Sequence, residues 1–112
     1  LGRGCEEVRS ISGNGIELVT GRWKDGRIGQ ITGNSVGSGN FGVLLVTGEG
    51  HRVSVQNADI PYMFPMAAAI LEFFRSGVSP VDPAESLEII AFLEAASRSR
   101  ASGGKTVTLS EL

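Results

Sequence analysis

The glycine-rich stretch Gly37–Gly42 has the spacing G-x-G-x-x-G, a pattern that can cradle the phosphates of a dinucleotide. That chemistry needs the glycines between a strand and a helix, so that N–H groups of the first helical turn meet the pyrophosphate. The stretch Phe41–Thr47 is apolar at almost every position and predicts a strand instead. We therefore interpret Gly37-Ser38-Gly39-Asn40 as a loop between strands and assign it no cofactor-binding residue.

The chain has one histidine, His51, and one cysteine, Cys5, and the two form no recognisable metal motif. A general base would need a substrate pocket, which nothing in the sequence around His51 defines. We predict a solvent-exposed turn histidine and no metal ligand. A lone cysteine excludes an internal disulfide and fits a reducing compartment, so we expect a cytoplasmic protein.

Several acidic and hydroxyl side chains could suggest acid–base or nucleophilic chemistry. The glutamates in question are Glu6, Glu7, Glu85, Glu88 and Glu94. Glu85 is better explained by a helix cap and Glu88 by a helix surface. The serines of Ser97-Arg98-Ser99-Arg100 fit a solvated helix end, and no Ser/His/Asp ordering stands out. We assign no catalytic residue among them.

The aromatic residues Trp23 and Tyr62 could stack on a sugar ring. Aromatic side chains more often fill a core or an interface, and we favour that interpretation for both. Met63 and Met66 are interpreted as gap-filling core residues.

The strands that would position these residues alternate with turn signals. Asp25-Gly26 predicts a two-residue hairpin between Ile16–Lys24 and Arg27–Val36. The resulting register sets Trp23 opposite Ile28. It places Val19, Trp23 and Ile28 on one face, and Ile16, Leu18 and Ile31 on the other.

Three further strand predictions follow from composition. A strand is expected near Glu6–Ile11, with Asn14-Gly15 closing a tight turn. Phe41–Thr47 is apolar on both sides, which is typical of a strand covered on both faces. His51–Asn57 alternates between apolar and polar residues and is expected to be half-exposed.

Two helices complete the predicted fold. The first spans Met63 to Arg75, with Pro65 in its first turn. The second begins at an Asp82 N-cap with Pro83 at the first helical position, and Gly103-Gly104 ends it. Its apolar stripe is so wide that we expect a largely covered helix. It comprises Leu87, Ile89, Ile90, Ala91, Phe92, Leu93, Ala95 and Ala96, with Glu94 on the same side. A returning strand, Thr106–Leu109, follows, and the class is α+β: a mostly antiparallel open sheet with two helices packed on one face.

The last third of the chain resembles a known family of enzymes. The matching segments are Phe73–Val81, Glu85–Ala96, Ser99 and Gly103–Val107, together with the hairpin Thr47–Val55. They are similar to the C-terminal end of oxidoreductases of the glucose–fructose oxidoreductase, inositol dehydrogenase and rhizopine-catabolism (Gfo/Idh/MocA) family. The resemblance implies that residues 1–112 are part of a C-terminal α/β domain, with the N-terminal dinucleotide-binding (Rossmann) domain absent.

The family's catalytic motifs are not found in this sequence. There is no Glu-Lys-Pro, and Lys24 and Lys105 lie in unrelated contexts. We therefore carry over no catalytic, cofactor-binding or metal residue, although NAD or NADP is expected for a full-length relative. The expected role is the substrate-side and oligomerisation domain of an NAD(P)-dependent oxidoreductase acting on a sugar or polyol, inactive by itself. The alternative is a stand-alone, non-enzymatic binding or assembly module.

Composition sets the remaining bounds. The 112 residues suggest one domain, and 41% hydrophobic with 20% charged residues is ordinary for a globular chain. A net charge of -2 gives no reason to expect nucleic acid or an anionic membrane as partner. No apolar run approaches the roughly 20 residues that span a bilayer. Because two helices can cover only one sheet face, we expect a homodimer formed through the other.

Overall fold

A computed structural model describes residues 2–37, 41–56 and 63–112. The chain divides into two compact units, Leu1–Gly37 with Val81–Leu112, and Ser38–Pro80. The first unit contains a four-stranded antiparallel sheet and a helix, and the second contains a two-stranded sheet and a helix. The predicted class, α+β with a mostly antiparallel open sheet, is confirmed. The strands form two sheets and each unit has one helix, which differs from the expected arrangement of two helices packed on one face of a single sheet. Most of the predicted loop Gly37–Asn40 lies outside the described residues.

The elements follow the predicted order closely. They are β1 (Cys5–Gly13), β2 (Ile16–Trp23), β3 (Ile28–Asn34), β4 (Phe41–Thr47), β5 (Gly50–Gln56), α1 (Met63–Ser76), α2 (Pro83–Ala101) and β6 (Val107–Thr108). The four-stranded sheet has the order β3-β2-β1-β6, and β4 pairs with β5. The predicted strand Phe41–Thr47 is thus observed as β4.

The turn between β1 and β2 has the predicted tight form. Asn14 and Gly15 have φ values of 51° and 77°, and Gly13 lies opposite Ile16. Two consecutive positive φ values define the hairpin turn whose twist matches that of the strands, and Asn-Gly is its preferred sequence.

The turn between β2 and β3 differs from the prediction by one residue. The N–H of Trp23 donates to the carbonyl of Arg27 over 2.8 Å, and Gly26 has a φ of 87°. This is a three-residue loop with glycine in the left-handed position, not a two-residue loop. Ile28 therefore lies opposite Arg22, and the predicted register was wrong.

The one-residue shift exchanges the faces of two isoleucines. Ile31 lies opposite Val19, on the face that holds Trp23, whereas Ile28 lies on the other face with Leu18. The sheet consequently has a helix side with Val19, Trp23 and Ile31. We call the opposite side the outer face; its exposed apolar residues are Ile11, Ile16 and Ile28.

Helix α2 begins and ends as its sequence predicts. The side chain of Asp82 accepts a hydrogen bond from the N–H of Ala84 at 2.9 Å, and Pro83 occupies the first position. At the other end, the N–H of Gly103 donates to Arg100 and that of Gly104 to Ser99. These two bonds form a Schellman motif, which satisfies the last carbonyls of the helix. The chain then returns as β6 and pairs with β1.

The core of the first unit is small and lies between α2 and the sheet. It consists of Cys5, Val8, Val19, Trp23, Ala95 and Ala96, with Phe92, Val107 and Leu109 packed against it. The prediction of a largely covered α2 was wrong. The helix rests on the sheet through a narrow stripe, so Leu87, Ile89, Ile90 and Leu93 are each more than half exposed.

In the second unit, the apolar residues of β4 are exposed. Val43, Leu44, Leu45 and Val46 retain between 48% and 70% of their accessible surface. The expectation that both faces of β4 are covered was therefore wrong within the described residues. Helix α1 has the predicted bounds to within a residue but contains no buried residue, so Met63 and Met66 do not fill a core.

Candidate functional site

An apolar groove lies between α2 and the β2–β3 half of the sheet. Its walls are formed by Trp23, Ile31, Ile89, Phe92 and Leu93, and it encloses about 280 Å³. The rings of Trp23 and Phe92 stack with centroids 6.2 Å apart and planes 29° apart. The groove exists because α2 packs over β1 and β6, leaving the helix side of β3 open.

Trp23 lies in the core, as we favoured from the sequence. Only 7% of its surface is exposed, and its indole N–H donates to the carbonyl of Gly2 at 2.8 Å. The neighbouring Gly21 leaves room for Phe92, since a Cβ there would lie 2.6 Å from the ring. Tyr62, the other aromatic candidate, lies outside the described residues.

Glu88 holds the N-terminal segment against α2. Its carboxylate accepts hydrogen bonds from the backbone N–H groups of Gly4 and Cys5, each at 2.8 Å. Desolvation acts to raise its pKa, but the two N–H bonds and the positive charge of Arg3 outweigh it, so the pKa lies below the ordinary glutamate value. The interpretation of Glu88 as helix surface was wrong. The side chain joins α2 to the backbone of Gly4, which lies 84 positions earlier in the chain.

The surroundings of Cys5 favour the neutral thiol. Burial raises its pKa, and the negative charge of Glu88 raises it further. Because the thiolate is the reactive form of cysteine, a raised pKa disfavours reaction at this group. The residue packs in the core, beside Trp23 on the same side of the sheet.

Ser99 links the helix to β1 and to the connection before β6, and it is fully buried. Its hydroxyl accepts from the N–H of Ser10 in β1 at 2.8 Å and donates to the carbonyl of Lys105 at 2.6 Å. Its predicted place in a solvated helix end was wrong. The small residues Ala95 and Ala96 precede it and let the backbone of α2 approach the sheet closely enough for these bonds.

An open crevice lies at the end of the sheet beside the C-terminus of α2. Its volume is about 530 Å³, and the polar residues Ser12, Asn34 and Arg100 are part of its lining. The guanidinium of Arg100 lies 3.2 Å from the carboxylate of Glu17, which also accepts from the hydroxyl of Ser10 at 2.7 Å. The cation is therefore already paired and is not free to bind an anion.

The remaining candidates form surface ion pairs. The Arg22 guanidinium lies 3.2 Å from Glu6 and donates to Glu7 at 2.7 Å, and this hydrogen bond lowers the pKa of Glu7. Glu94 pairs with Arg98 one turn along α2. His51 is exposed, as predicted. Across the described part of the chain, no group of three or more His, Cys, Asp or Glu side chains could hold a metal ion. Across the same part, no helix is both long and apolar enough to cross a membrane.

Sequence reasoning missed the roles of Glu88 and Ser99, although the spacing of residues along α2 contains a signal for both. Glu88, Phe92, Ala95 and Ser99 follow one another at intervals of four, three and four residues, which is a single helical stripe. The two polar members of the stripe are Glu88 and Ser99. A polar residue in line with the core-facing small residues is expected to bond across the interface, because buried polar groups need partners.

Comparison with other proteins identifies no relative. No protein-family model, no curated protein sequence and no solved structure matches this chain.

Proposed function

We propose that this chain is the C-terminal, substrate-side and oligomerisation domain of a cytoplasmic NAD(P)-dependent oxidoreductase of the Gfo/Idh/MocA kind, acting on a sugar or polyol. The complete enzyme would move a hydride between nicotinamide and a carbon that bears a hydroxyl or carbonyl group. The cofactor would be bound by an N-terminal Rossmann domain outside residues 1–112. This chain would provide a scaffold and an assembly surface.

The observation that carries the proposal is the two-sided character of the four-stranded sheet. One side packs against α2, whereas the outer face exposes Ile11, Ile16 and Ile28 to between 48% and 69%. Ile11 lies opposite Leu18, and Ile16 lies two residues before Leu18 on the same face. Exposed apolar surface of this kind often marks a site of protein association. Together with the resemblance of the stretch from Phe73 to Val107, it supports a domain whose role is association.

The titratable groups of the described residues are consistent with a scaffold role for this chain, with the catalytic groups in another part of the enzyme. Two carboxylates at the groove and the crevice, those of Glu88 and Glu17, are engaged in structural bonds. Cys5 is buried. A hydride-transfer reaction needs a general acid or base in reach of a substrate, and in this proposal that group belongs to another part of the enzyme.

Light scattering coupled to size exclusion tests the assembly role. We expect a mass above the 11.7 kDa of one chain at micromolar concentration. Ile11→Glu places a charge on the outer face and should lower that mass. Ser97→Glu is the control, because it adds the same charge at an exposed position of α2, away from the outer face. A monomer at all concentrations would contradict the assembly role.

Nucleotide titration and the coding sequence test the enzymatic assignment. Calorimetry with NAD and NADP should give no binding to residues 1–112, and a micromolar Kd would overturn the division of roles. An upstream reading frame should encode a G-x-G-x-x-G motif between a strand and a helix. A short gene without one would favour the second candidate function, a stand-alone assembly module, which the exposed apolar strand β4 also supports.

A further inference from the structure

The outer edge of β3 carries a row of backbone groups that no described strand pairs with. β3 bonds to β2 along one side and is the terminal strand of the sheet. The N–H of Trp23 donates to Arg27, and the N–H of Ser35 donates to Gly15. In an antiparallel pair, hydrogen-bonded and non-hydrogen-bonded residue pairs alternate along the strand. Since Arg27 and Ser35 flank β3 and both bond across to the β2 side, the odd-numbered residues between them bond to β2 as well. The N–H and C=O groups of the even-numbered residues therefore point away from the sheet.

This edge lacks the features that keep two sheets apart. Exposed edges are normally blunted by lysine, proline, a bulge or a very short strand. The opposite edge, β6, is only two residues long. β3 has seven residues, Ile-Gly-Gln-Ile-Thr-Gly-Asn, with no charge and no proline. Among the described strands, the sheet thus has one short, protected edge at β6 and one unpaired edge at β3.

We propose that β3 pairs antiparallel with β3 of a second copy of this chain, around a twofold axis at Ile31. In this register Gln30 meets Thr32 of the second copy and Ile28 meets Asn34 of the second copy. These are the residues with outward-pointing backbone groups, so each pair exchanges two hydrogen bonds. The same strand serves both partners, as a closed twofold dimer requires.

The side chains of β3 are symmetric about Ile31 in the way that this pairing needs. On the helix side, Gly29 lies opposite Gly33 of the second copy. Because glycine has no side chain, no side chain lies next to the twofold axis at these positions. The only side chains meeting there are the two Ile31, whose Cα atoms would be about 4.5 Å apart in a non-hydrogen-bonded pair. Ile31 is 54% exposed in the single chain and forms one lip of the apolar groove. Pairing therefore covers exposed apolar surface and joins the two grooves without bringing like charges together.

Proline substitution at Gln30 tests the proposal without disturbing β2. Its N–H points outward, so Gln30→Pro removes an edge donor and leaves the ladder to β2 intact. Light scattering of the full chain should show half the wild-type mass for Gln30→Pro. Gln30→Val is the matched control, because it keeps the donor and should keep the mass. An unchanged mass for a folded Gln30→Pro protein would overturn the edge pairing.

Hydrogen exchange of the unmodified chain gives a second, independent measurement. The amides of Gln30 and Thr32 should gain protection of at least about tenfold as concentration rises and the dimer forms. The amide of Ile31 should be protected throughout, because it bonds to β2. Rapid exchange at Gln30 and Thr32 in a sample that light scattering shows to be dimeric would contradict the proposal. It would instead direct attention to the outer face, where Ile11→Glu has its effect.

Discussion

Strands β1 and β4 behave in the opposite way to what their compositions suggest. β4, Phe-Gly-Val-Leu-Leu-Val-Thr, is the more apolar, yet four of its residues are about half exposed or more. β1 contains two glutamates, an arginine and two serines, yet it holds the fully buried Val8 and Ser10. The difference is in their neighbours. β1 lies between β2 and β6 beneath α2, whereas β4 pairs only with β5.

The comparison shows that strand side chains are buried where α2 packs against the sheet, whatever the composition of the strand. The helix approaches β1 through alanines and a serine. The serine bonds to backbone groups of β1 and of the connection before β6. Apolar area stabilises a fold only when another element removes it from water. Four substitutions compare the two regions, in order of decreasing expected effect.

Ser99→Ala should be the most damaging. It leaves the buried N–H of Ser10 and the carbonyl of Lys105 without their partner, which costs about 2–3 kcal/mol of unfolding free energy. Urea unfolding followed by the fluorescence of Trp23, the chain's one tryptophan, measures the change. Ser97→Ala is the matched control on the exposed side of the same helix and should change stability by less than about 0.5 kcal/mol. Equal effects of the two would mean that α2 does not lock to the sheet through Ser99.

Glu88→Gln should cost about 1–2 kcal/mol at pH 7, because it weakens two charge-assisted hydrogen bonds to Gly4 and Cys5. Glu85→Gln, one turn earlier on α2, is the control and should change stability by less than about 0.5 kcal/mol.

The Glu88 contribution should also depend on pH with a definite sign. The pKa of Glu88 is lowered in the folded chain. Its stabilisation is therefore fully present above the ordinary glutamate pKa and is lost as pH falls through the lower folded value. Wild type and Glu88→Gln should differ in urea midpoint at pH 7 and converge in more acidic solution. A constant difference down to pH 3 would show that the charge is not responsible.

Asp82→Ala should destabilise the fold by about 1 kcal/mol, the usual cost of losing a helix N-cap. Asp82 also lies 3.5 Å from the Arg3 guanidinium, in an exposed pair worth little. Arg3→Ala therefore separates the two contributions and should change the urea midpoint much less. If both substitutions have the same small effect, the Asp82 side chain does not set the start of α2.

Leu44→Ala should have the smallest effect, below about 0.5 kcal/mol, although it removes the largest amount of apolar side chain. Leu44 is 64% exposed, so little surface is returned to water when it is shortened. A buried leucine would cost about 2–5 kcal/mol. A loss of that size would mean that β4 is covered in solution, by a second copy or by another domain, and would remove the contrast with β1.

The sequence predicted well wherever a few consecutive residues decide the structure. Asn14-Gly15 closes its turn and Asp82-Pro83 starts α2, because each motif satisfies backbone groups within its own turn. Gly103-Gly104 ends α2 through bonds that reach back only three and five residues. Asp25-Gly26 marks the right place for a hairpin, but loops of two and three residues both fit it. The observed loop moved Ile28 and Ile31 to opposite faces from those expected.

Ser99 and Glu88 show what only the tertiary structure decided. Each looks like helix surface in the sequence, and each bonds to a backbone group more than 80 residues away. The bonding partners of Ser99 and Glu88 depend on which side of α2 faces the sheet. That side is the one on which the small residues Ala95 and Ala96 allow the helix to approach the sheet closely. Local sequence determined the elements and their ends, because backbone hydrogen bonds within a turn are short-range. Packing determined which side chains are buried, because burial requires a second element to exclude water.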